Sequence, residues 1–363
     1  MGIENSMWET GENEMKQSFC NSVMNAERSD SDSKCNKILS VSIAAYNVFT
    51  TIEKALCSLL LDNSRMSRLD IIVVNDGSTD NTKQLVDKYA KEYPQSIRII
   101  DKKNGGYGST INTALSIAQG KYFKLLDGDD WYDKDAFSAL IDFLDNADAD
   151  LVVSPYWEVG AKKVLCDHIP EIPINTTTIS SLLLRDDKVL HMHGLTINTN
   201  CLRQYGHVIT EGCFYTDNEY VYCCIAASQT IVRYDKAVYC YRLGEEGQSI
   251  SLSGMRRHIQ DIFKVVDVLS RAIDDCSYSG AKKELLEGTV SLSIYWTFCA
   301  CMLLDEPTKS KELLKEFDDH LRKELPVAYK AGTNSRMVRN LRRFRYHFYG
   351  LFCRYIMRKH GWK

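Results

Sequence analysis

The chain of 363 residues is as informative in what it lacks as in what it holds. None of its thirteen cysteines forms a Cys-x-x-Cys pair, and they follow no regular spacing. That pattern excludes the disulfide framework of a small secreted scaffold and the paired ligands of a structural zinc site. Reduced thiols in a cytosolic chain are the expectation. The formal net charge is only −3, so no global excess of one sign argues for nucleic-acid binding. The long uncharged stretch at residues 288–304 is too short and too polar in its first half to span a bilayer, and it reads as a buried helix. The N-terminus carries no basic segment followed by an apolar one, which a secretory signal requires. Met1-Gly2-Ile3-Glu4-Asn5-Ser6 formally fits a myristoylation pattern, but patterns this short match by chance. There is no internal repeat and no low-complexity block. What remains, 44% hydrophobic and 26% charged residues, is the composition of a globular protein with a sizeable core.

The most unusual stretch is Leu125-Leu126-Asp127-Gly128-Asp129-Asp130-Trp131. Tyr122 to Leu126 is a short apolar run that reads as a buried strand. Three carboxylates within four positions follow it directly. Like charges a few ångströms apart repel and raise one another's pKa. A hard divalent cation held by oxygen ligands relieves that repulsion, so a metal site at a strand's C-terminal edge is the first expectation. A solvated acidic turn is the alternative.

Order begins at Ile38 with a β-type run ending at Tyr46-Asn47. Thr50 and Glu53 then predict a capping box at the start of a helix whose apolar stripe is Ile52, Ala55, Leu56, Leu59 and Leu60. A second strand, 69–74, ends in Asn75-Asp76-Gly77-Ser78-Thr79-Asp80, and a helix over 81–93 follows. A third strand, 97–100, leads to Lys102-Lys103-Asn104-Gly105-Gly106-Tyr107-Gly108. The next helix places Ile111, Ala114, Leu115 and Ala118 on one face, with Gly120 as the expected C-terminal cap. The strand before Asp127 is the fourth. Apolar strands alternating with helices predict an α/β fold with a mostly parallel sheet covered on both faces. Ligands gather at the C-terminal edges of such strands. Tyr46, Asp76, Asp127 and Asp129 all fall there.

Beyond a further strand at 151–153, Pro155, Pro170 and Pro173 punctuate a looser region. His191 and His193 in it are expected to be structural, with contact to acceptor or diphosphate as the other reading. Residues 231–243 read as a strand pair, and 256–330 as helical. From Asn334 to Lys363 there are nine Arg and Lys and no acid, interleaved with Phe344, Tyr346, Phe348, Tyr349, Leu351, Phe352, Tyr355 and Ile356. Such a helix suits either an anionic membrane surface or the protein's own acidic surface.

Together these stretches resemble the family 2 glycosyltransferases of GT-A fold. The resemblance rests on Val41-Ser42-Ile43-Ala44-Ala45-Tyr46-Asn47, Ile71 to Asp80, the helix start at 104–120 and Leu125 to Trp131, in order, across about 115 residues. Ala44-Ala45 stands where the family often has Ile-Pro. The resemblance implies an inverting, metal-dependent transfer of a sugar from a nucleotide-diphospho-sugar, UDP-linked by first expectation, to a saccharide or glycolipid acceptor. It implies that Asp76 and Tyr46 receive the base, that Asp127 lies at the ribose or metal, and that Asp129 ligates Mn²⁺ or Mg²⁺. Asp130 would reach the donor sugar, and Lys102 and Lys103 could attract phosphate, although exposed lysines beside a turn usually do nothing. The proton acceptor that inversion needs falls on Asp217. Thr216 stands before it where the family often has an acid, so Asp217 also reads as a helix cap, and Glu219 is the reserve. Arg242 with Gly247-Gln248-Ser249 resembles the family's closing segment. The implied organisation is a mobile tail over 1–37, a GT-A domain over 38–252 (nucleotide half 38–154, acceptor half 155–252), a helical extension over 253–332 and a basic amphipathic helix over 333–363. The expected setting is cytoplasmic, peripheral to the membrane's inner face through 334–363, with no nucleic acid as partner. A non-catalytic nucleotide-sugar-binding module is the alternative.

Overall fold

The structure, a computed structural model, describes residues 37–359 apart from 168, 174, 183, 185–188 and 245–250. The expected tail before residue 37 and Gly247-Gln248-Ser249 therefore lie outside the described residues.

Four parallel strands start the fold: β1 (Leu39–Ala45), β2 (Leu69–Asn75), β3 (Ile97–Asp101) and β4 (Tyr122–Asp127). Nearly every residue of β1, β2 and β4 is buried, as expected of strands covered on both faces. Between them run helices Ile52–Leu59, Thr82–Glu92 and Tyr107–Ile117. The chain continues through β5 (Trp131–Tyr132), β6 (Leu151–Val153), β7 (Tyr156–Val159), β8 (Lys163–Cys166), β9 (Thr177–Thr178), β10 (Leu195–Asn198), β11 (Thr230–Arg233) and β12 (Tyr239–Arg242). The large sheet has the order β3-β2-β1-β4-β10-β6-β11-β9, in which β10 lies antiparallel to both β4 and β6. A small sheet has the order β5-β12-β7-β8.

Register brings the polar strand ends together. Ala45 pairs with Asn75, Ala44 with Asp127, and Asn75 with Asp101. Tyr46, Asp76, Lys102 and Asp127 consequently share one edge. In the small sheet β12 pairs with β5 (Tyr239 with Tyr132, Cys240 with Trp131), which lays Tyr239–Arg242 against the Asp127-Gly128-Asp129-Asp130 turn.

Several local expectations give way to tertiary contacts. The capping box does not form: the helix starts at Ile52, Thr51 Oγ1 donates to Gly128 O at 2.9 Å, and Glu53 accepts from Tyr89 OH at 3.0 Å. Gly120 is not a left-handed cap, since the helix ends at Ile117. It is a close approach, where a Cβ would stand 2.3 Å from Ser40 N. The 231–243 strands do not pair with each other, because β11 joins the large sheet and β12 the small one.

The C-terminal part is helical: Ile259–Asp274, Gly280–Met302, Pro307–Glu324, Pro326–Gly332, Arg336–Arg343 and Tyr349–Lys359. Gly280–Met302 is long and apolar enough to cross a membrane, yet most of it is buried against its neighbours, among them the helix Asp217–Ala227. The expected single basic helix is two helices, separated by a turn in which Arg345 and Tyr346 have positive φ.

Candidate active site

At the sheet edge each acid is held by a different device. Asp76 is buried where Gly77, with φ +75°, turns the chain away from β2. Its Oδ1 accepts from Lys102 Nζ at 3.0 Å and Gly105 N at 2.9 Å, and its Oδ2 accepts from Gly106 N at 2.8 Å. Lys102 is thus a site residue, which the expectation of an inert exposed lysine did not anticipate. Tyr46 directly follows β1 at the same sheet edge and is half exposed. The next residue, Asn47, has φ +53° and accepts from Thr79 N at 2.8 Å, tying the end of β1 to the turn after β2.

Asp127 ends β4 half-buried, and Tyr107 OH donates to its Oδ1 at 2.7 Å. Burial pushes the Asp127 carboxyl up, and the Asp129 charge adds to that, while the Tyr107 and Tyr239 hydrogen bonds pull it back. Asp130 is only 1% exposed. Its Oδ2 accepts from Tyr239 OH at 2.7 Å and its Oδ1 from Arg242 N at 2.7 Å. Burial raises its pKa as well, reinforced by the charges of Asp127 and Asp129. Asp129 is half-buried, and its carbonyl accepts from Arg242 Nε at 2.8 Å. Trp131 forms a wall: Lys54 Nζ lies 3.0 Å and the Arg242 guanidinium 5.2 Å from its ring centre.

Asp217 opens the helix Asp217–Ala227, with Thr216 as N-cap residue making no side-chain cap bond. Burial raises the Asp217 carboxyl, offset in part by the backbone amides of Asn218 and Asp217. Its charge is felt at Asp127 and Tyr107, so the two ends of the site share one field. The approach depends on Gly108, where a Cβ would stand 2.1 Å from Thr210 O. Gly212 N further donates to Gly105 O at 2.6 Å. Glu219, the reserve base, is committed elsewhere: its buried carboxylate takes His207 Nε2 at 2.6 Å and Thr210 N at 3.1 Å.

His193 lies beside the acids, where the expectation had favoured a structural histidine over one in contact with acceptor or diphosphate. It lies in the tight turn Met192–Gly194 ahead of β10, and pairing of β10 with β4 carries it to the acids. Tyr241 stacks on its ring at 4.4 Å and Tyr239 meets it edge-on at 4.7 Å. Burial holds the imidazole well below its ordinary pKa, so the ring is neutral, and its buried Nδ1 has no hydrogen-bond partner. One ligand atom each of Asp127, Asp130 and His193 falls within 4.8 Å of the others. Asp129, expected as the metal ligand with Asp127, is not in that cluster. Tyr107, Tyr239 and Tyr241 carried no motif signal. Only the two-residue alternation of Tyr239 and Tyr241, which puts both on one strand face, could have pointed to them.

Comparison with known proteins bears on the fold and the family likeness of the chain. Residues 40–214 match the family model for glycosyl transferase family 2. An uncharacterized glycosyltransferase of Mycoplasma pneumoniae, the MG060 homolog, is 36% identical over 132 residues, 36% of this chain and 44% of that protein. Hyaluronan synthase of Pasteurella multocida is 39% identical over 107 residues, 29% of this chain and 11% of that protein. The chain thus spans less than half the length of these relatives. Among solved structures, S. aureus TarS 1–349 in complex with UDP-GlcNAc superposes with a TM-score of 0.62 at 22% identity, covering 84% of this chain and 91% of that one. The mannosyltransferase PcManGT from Pyrobaculum calidifontis, in complex with GDP-Man and Mn²⁺, gives 0.51 at 14% identity, covering 88% and 93%. At these identities the structural likeness establishes the fold, a GT-A arrangement.

Proposed function

We propose, from the match of residues 40–214 to the family model for glycosyl transferase family 2, that the chain is an inverting, metal-dependent glycosyltransferase using a UDP-linked sugar donor. The observation that supports this reading is that Asp76 and Asp127 follow neighbouring strand ends on one sheet edge while the charge of Asp217 reaches Asp127. An ionised carboxylate offers about four acceptor positions. Asp76 has three of its own filled by Lys102, Gly105 and Gly106. The fourth accepts a uracil N–H, with Tyr46 against the base.

The residues present fit a divalent cation: ionisable carboxylates crowded enough to hold protons, beside a buried imidazole nitrogen without a partner. We assign the ion to Asp127 and Asp129, which are half-buried and open to a ligand, whereas Asp130 is fully buried and held by Tyr239 OH and Arg242 N. Bound there, Mn²⁺ or Mg²⁺ supplies neutralisation of the charge on the departing diphosphate. Asp130 acts through Tyr239 and Arg242 rather than on the donor sugar, fixing β12 over the acidic turn. Asp217 takes the acceptor hydroxyl proton as the new O–C bond forms at the anomeric carbon and the C–O bond to the diphosphate breaks. Its raised pKa suits a base working near neutrality. The acceptor is a saccharide or glycolipid, met on the cytosolic side in surface-polysaccharide synthesis. A thermal-shift screen of nucleotide sugars with Mn²⁺ tests the reading: UDP-sugars stabilise the chain and adenine nucleotides do not. Equal shifts for both, or none for UDP-sugars, contradict it.

A further inference from the structure

The C-terminal segment is charged with one sign and is nevertheless well docked. Met337, Val338, Leu341, Tyr346, Tyr349 and Ile356 are buried against the helical module. Arg342 Nη2 meets Asp318 Oδ1 at 2.6 Å, and Tyr346 OH binds the other oxygen of the same carboxylate. Tyr349 OH lies 2.9 Å from Ser310 Oγ. These contacts settle the inner face and leave a defined outer one.

That outer face is dominated by two kinds of side chain. Phe344, Phe348, Leu351 and Tyr355 are 43%, 48%, 59% and 56% exposed. They are four of the nine large hydrophobic side chains exposed among the described residues, gathered within twelve positions, so chance scatter does not describe them. Phe344 and Phe348 meet edge-on at 5.3 Å in the turn, and Leu351 and Tyr355 stand one turn apart on the helix Tyr349–Lys359 that follows, so the exposed apolar stripe runs from the turn onto that helix. Around it Arg343, Arg345, Arg354 and Arg358 are exposed, and no salt bridge joins them to an acid among the described residues. Arg342, the one arginine of the segment with an acid, is the one turned inward.

We propose that this face is a membrane-docking surface that lies on a bilayer rich in anionic headgroups. Arginines flanking an aromatic and aliphatic stripe match the two layers of such a surface, phosphate outside and acyl chains beneath. A nucleic acid offers no apolar layer for the stripe. A second copy of the chain would bring the same positive charge against it. The helix Gly280–Met302 packs on both Tyr349–Lys359 and Asp217–Ala227, so the docked surface is joined through a single helix to the element that bears Asp217.

Co-sedimentation of the full chain with vesicles tests this without any activity readout, and so stands apart from the donor screen. The chain pellets with phosphatidylcholine vesicles containing about 30% phosphatidylglycerol, and weakly with phosphatidylcholine alone. Raising salt from about 0.1 M to about 0.5 M releases it, as screening of exposed charge requires. Replacing Arg343, Arg345, Arg354 and Arg358 by Gln lowers the partition coefficient by about 100-fold, each arginine contributing several-fold. Leu351→Ser with Tyr355→Ser lowers it by about tenfold, and circular dichroism confirms that both variants keep their helices. Equal binding to the two vesicle types, retention by either variant, or no pelleting overturns the proposal. So does a dimer in analytical ultracentrifugation that the same substitutions dissolve, since the face would then belong to a second copy.

Discussion

Removing one hydroxyl, in Tyr107→Phe, isolates the device that makes Asp127 usable. Tyr107 OH donates to Asp127 Oδ1 at 2.7 Å and is one of two hydrogen bonds opposing the burial that raises this carboxyl to about 7. A hydrogen bond to a charged group contributes about 1.5–3 kcal/mol, equivalent to about 1–2 pK units. The variant therefore moves the Asp127 pKa up by that amount. A cation binds only the ionised carboxylate, so the midpoint of Mn²⁺ affinity against pH shifts up by about 1–2 units, and affinity at neutral pH, where the native carboxyl is already about half protonated, falls by about 5–50-fold. Stability follows with a definite sign. The folded pKa of Asp127 lies above its unfolded value, so its contribution is intact below the ordinary carboxylate range and is lost as pH rises through about 7. The variant then costs stability above neutrality and little at about pH 5. Titration calorimetry with Mn²⁺ between about pH 6 and 9, paired with urea unfolding, measures both effects. An unchanged affinity midpoint with unchanged stability across that range would refute the reasoning.

Other perturbations probe other parts of the account. Asp129→Asn is expected to lower Mn²⁺ affinity by at least about tenfold and His193→Ala by less; the reverse order in calorimetry assigns the ion to the Asp127, Asp130 and His193 cluster instead. Gly108→Ala drives a Cβ to 2.1 Å from Thr210 O, and should cost about 1–3 kcal/mol in urea unfolding and slow transfer by displacing the 210–217 segment. Lys124 is fully buried, its amine held down to about 7, and donates to His193 O at 2.9 Å and Leu195 O at 3.0 Å. A neutral amine has two N–H groups for these two carbonyls. Because its folded pKa is depressed, the stability of the native chain relative to Lys124→Met should rise between about pH 7 and 10, by no more than about 5 kcal/mol; a flat difference would contradict this. Arg342→Met strands the buried Asp318 charge, and an expected loss of about 3–5 kcal/mol should show as early proteolysis of the C-terminal helices.

Much of the fold could be read from residue order because the first four strands are long, apolar and separated by helices of clear periodicity. Asp76 and Asp127 were legible for the same reason: each directly follows an apolar run, and parallel register then aligns the run ends. His193 and Tyr239 were not. Each reaches the site through a late, short strand whose partner is set by the sheet. For His193 that is β10 in its antiparallel slot beside β4, and for Tyr239 it is β12 against a two-residue strand. Nothing local encodes such pairings. The failed capping box at Thr50 and Glu53 has a similar cause: Thr51 ties the helix start to Gly128 and Tyr89 takes Glu53, tertiary contacts that outweigh a local motif of about 1 kcal/mol. The tail was ambiguous because the arginine that docks it, Arg342, looks in sequence like the ones that face outward.

The central claim is that Asp217 takes the acceptor proton while Asp76 and the acidic turn hold the donor. Turnover and donor affinity measured together for Asp217→Asn test it most directly, with UDP release followed in Mn²⁺ and acceptor extract and UDP binding followed by calorimetry. The account predicts turnover lowered by about 10²–10⁴-fold with UDP affinity essentially retained. Full turnover by Asp217→Asn would contradict it.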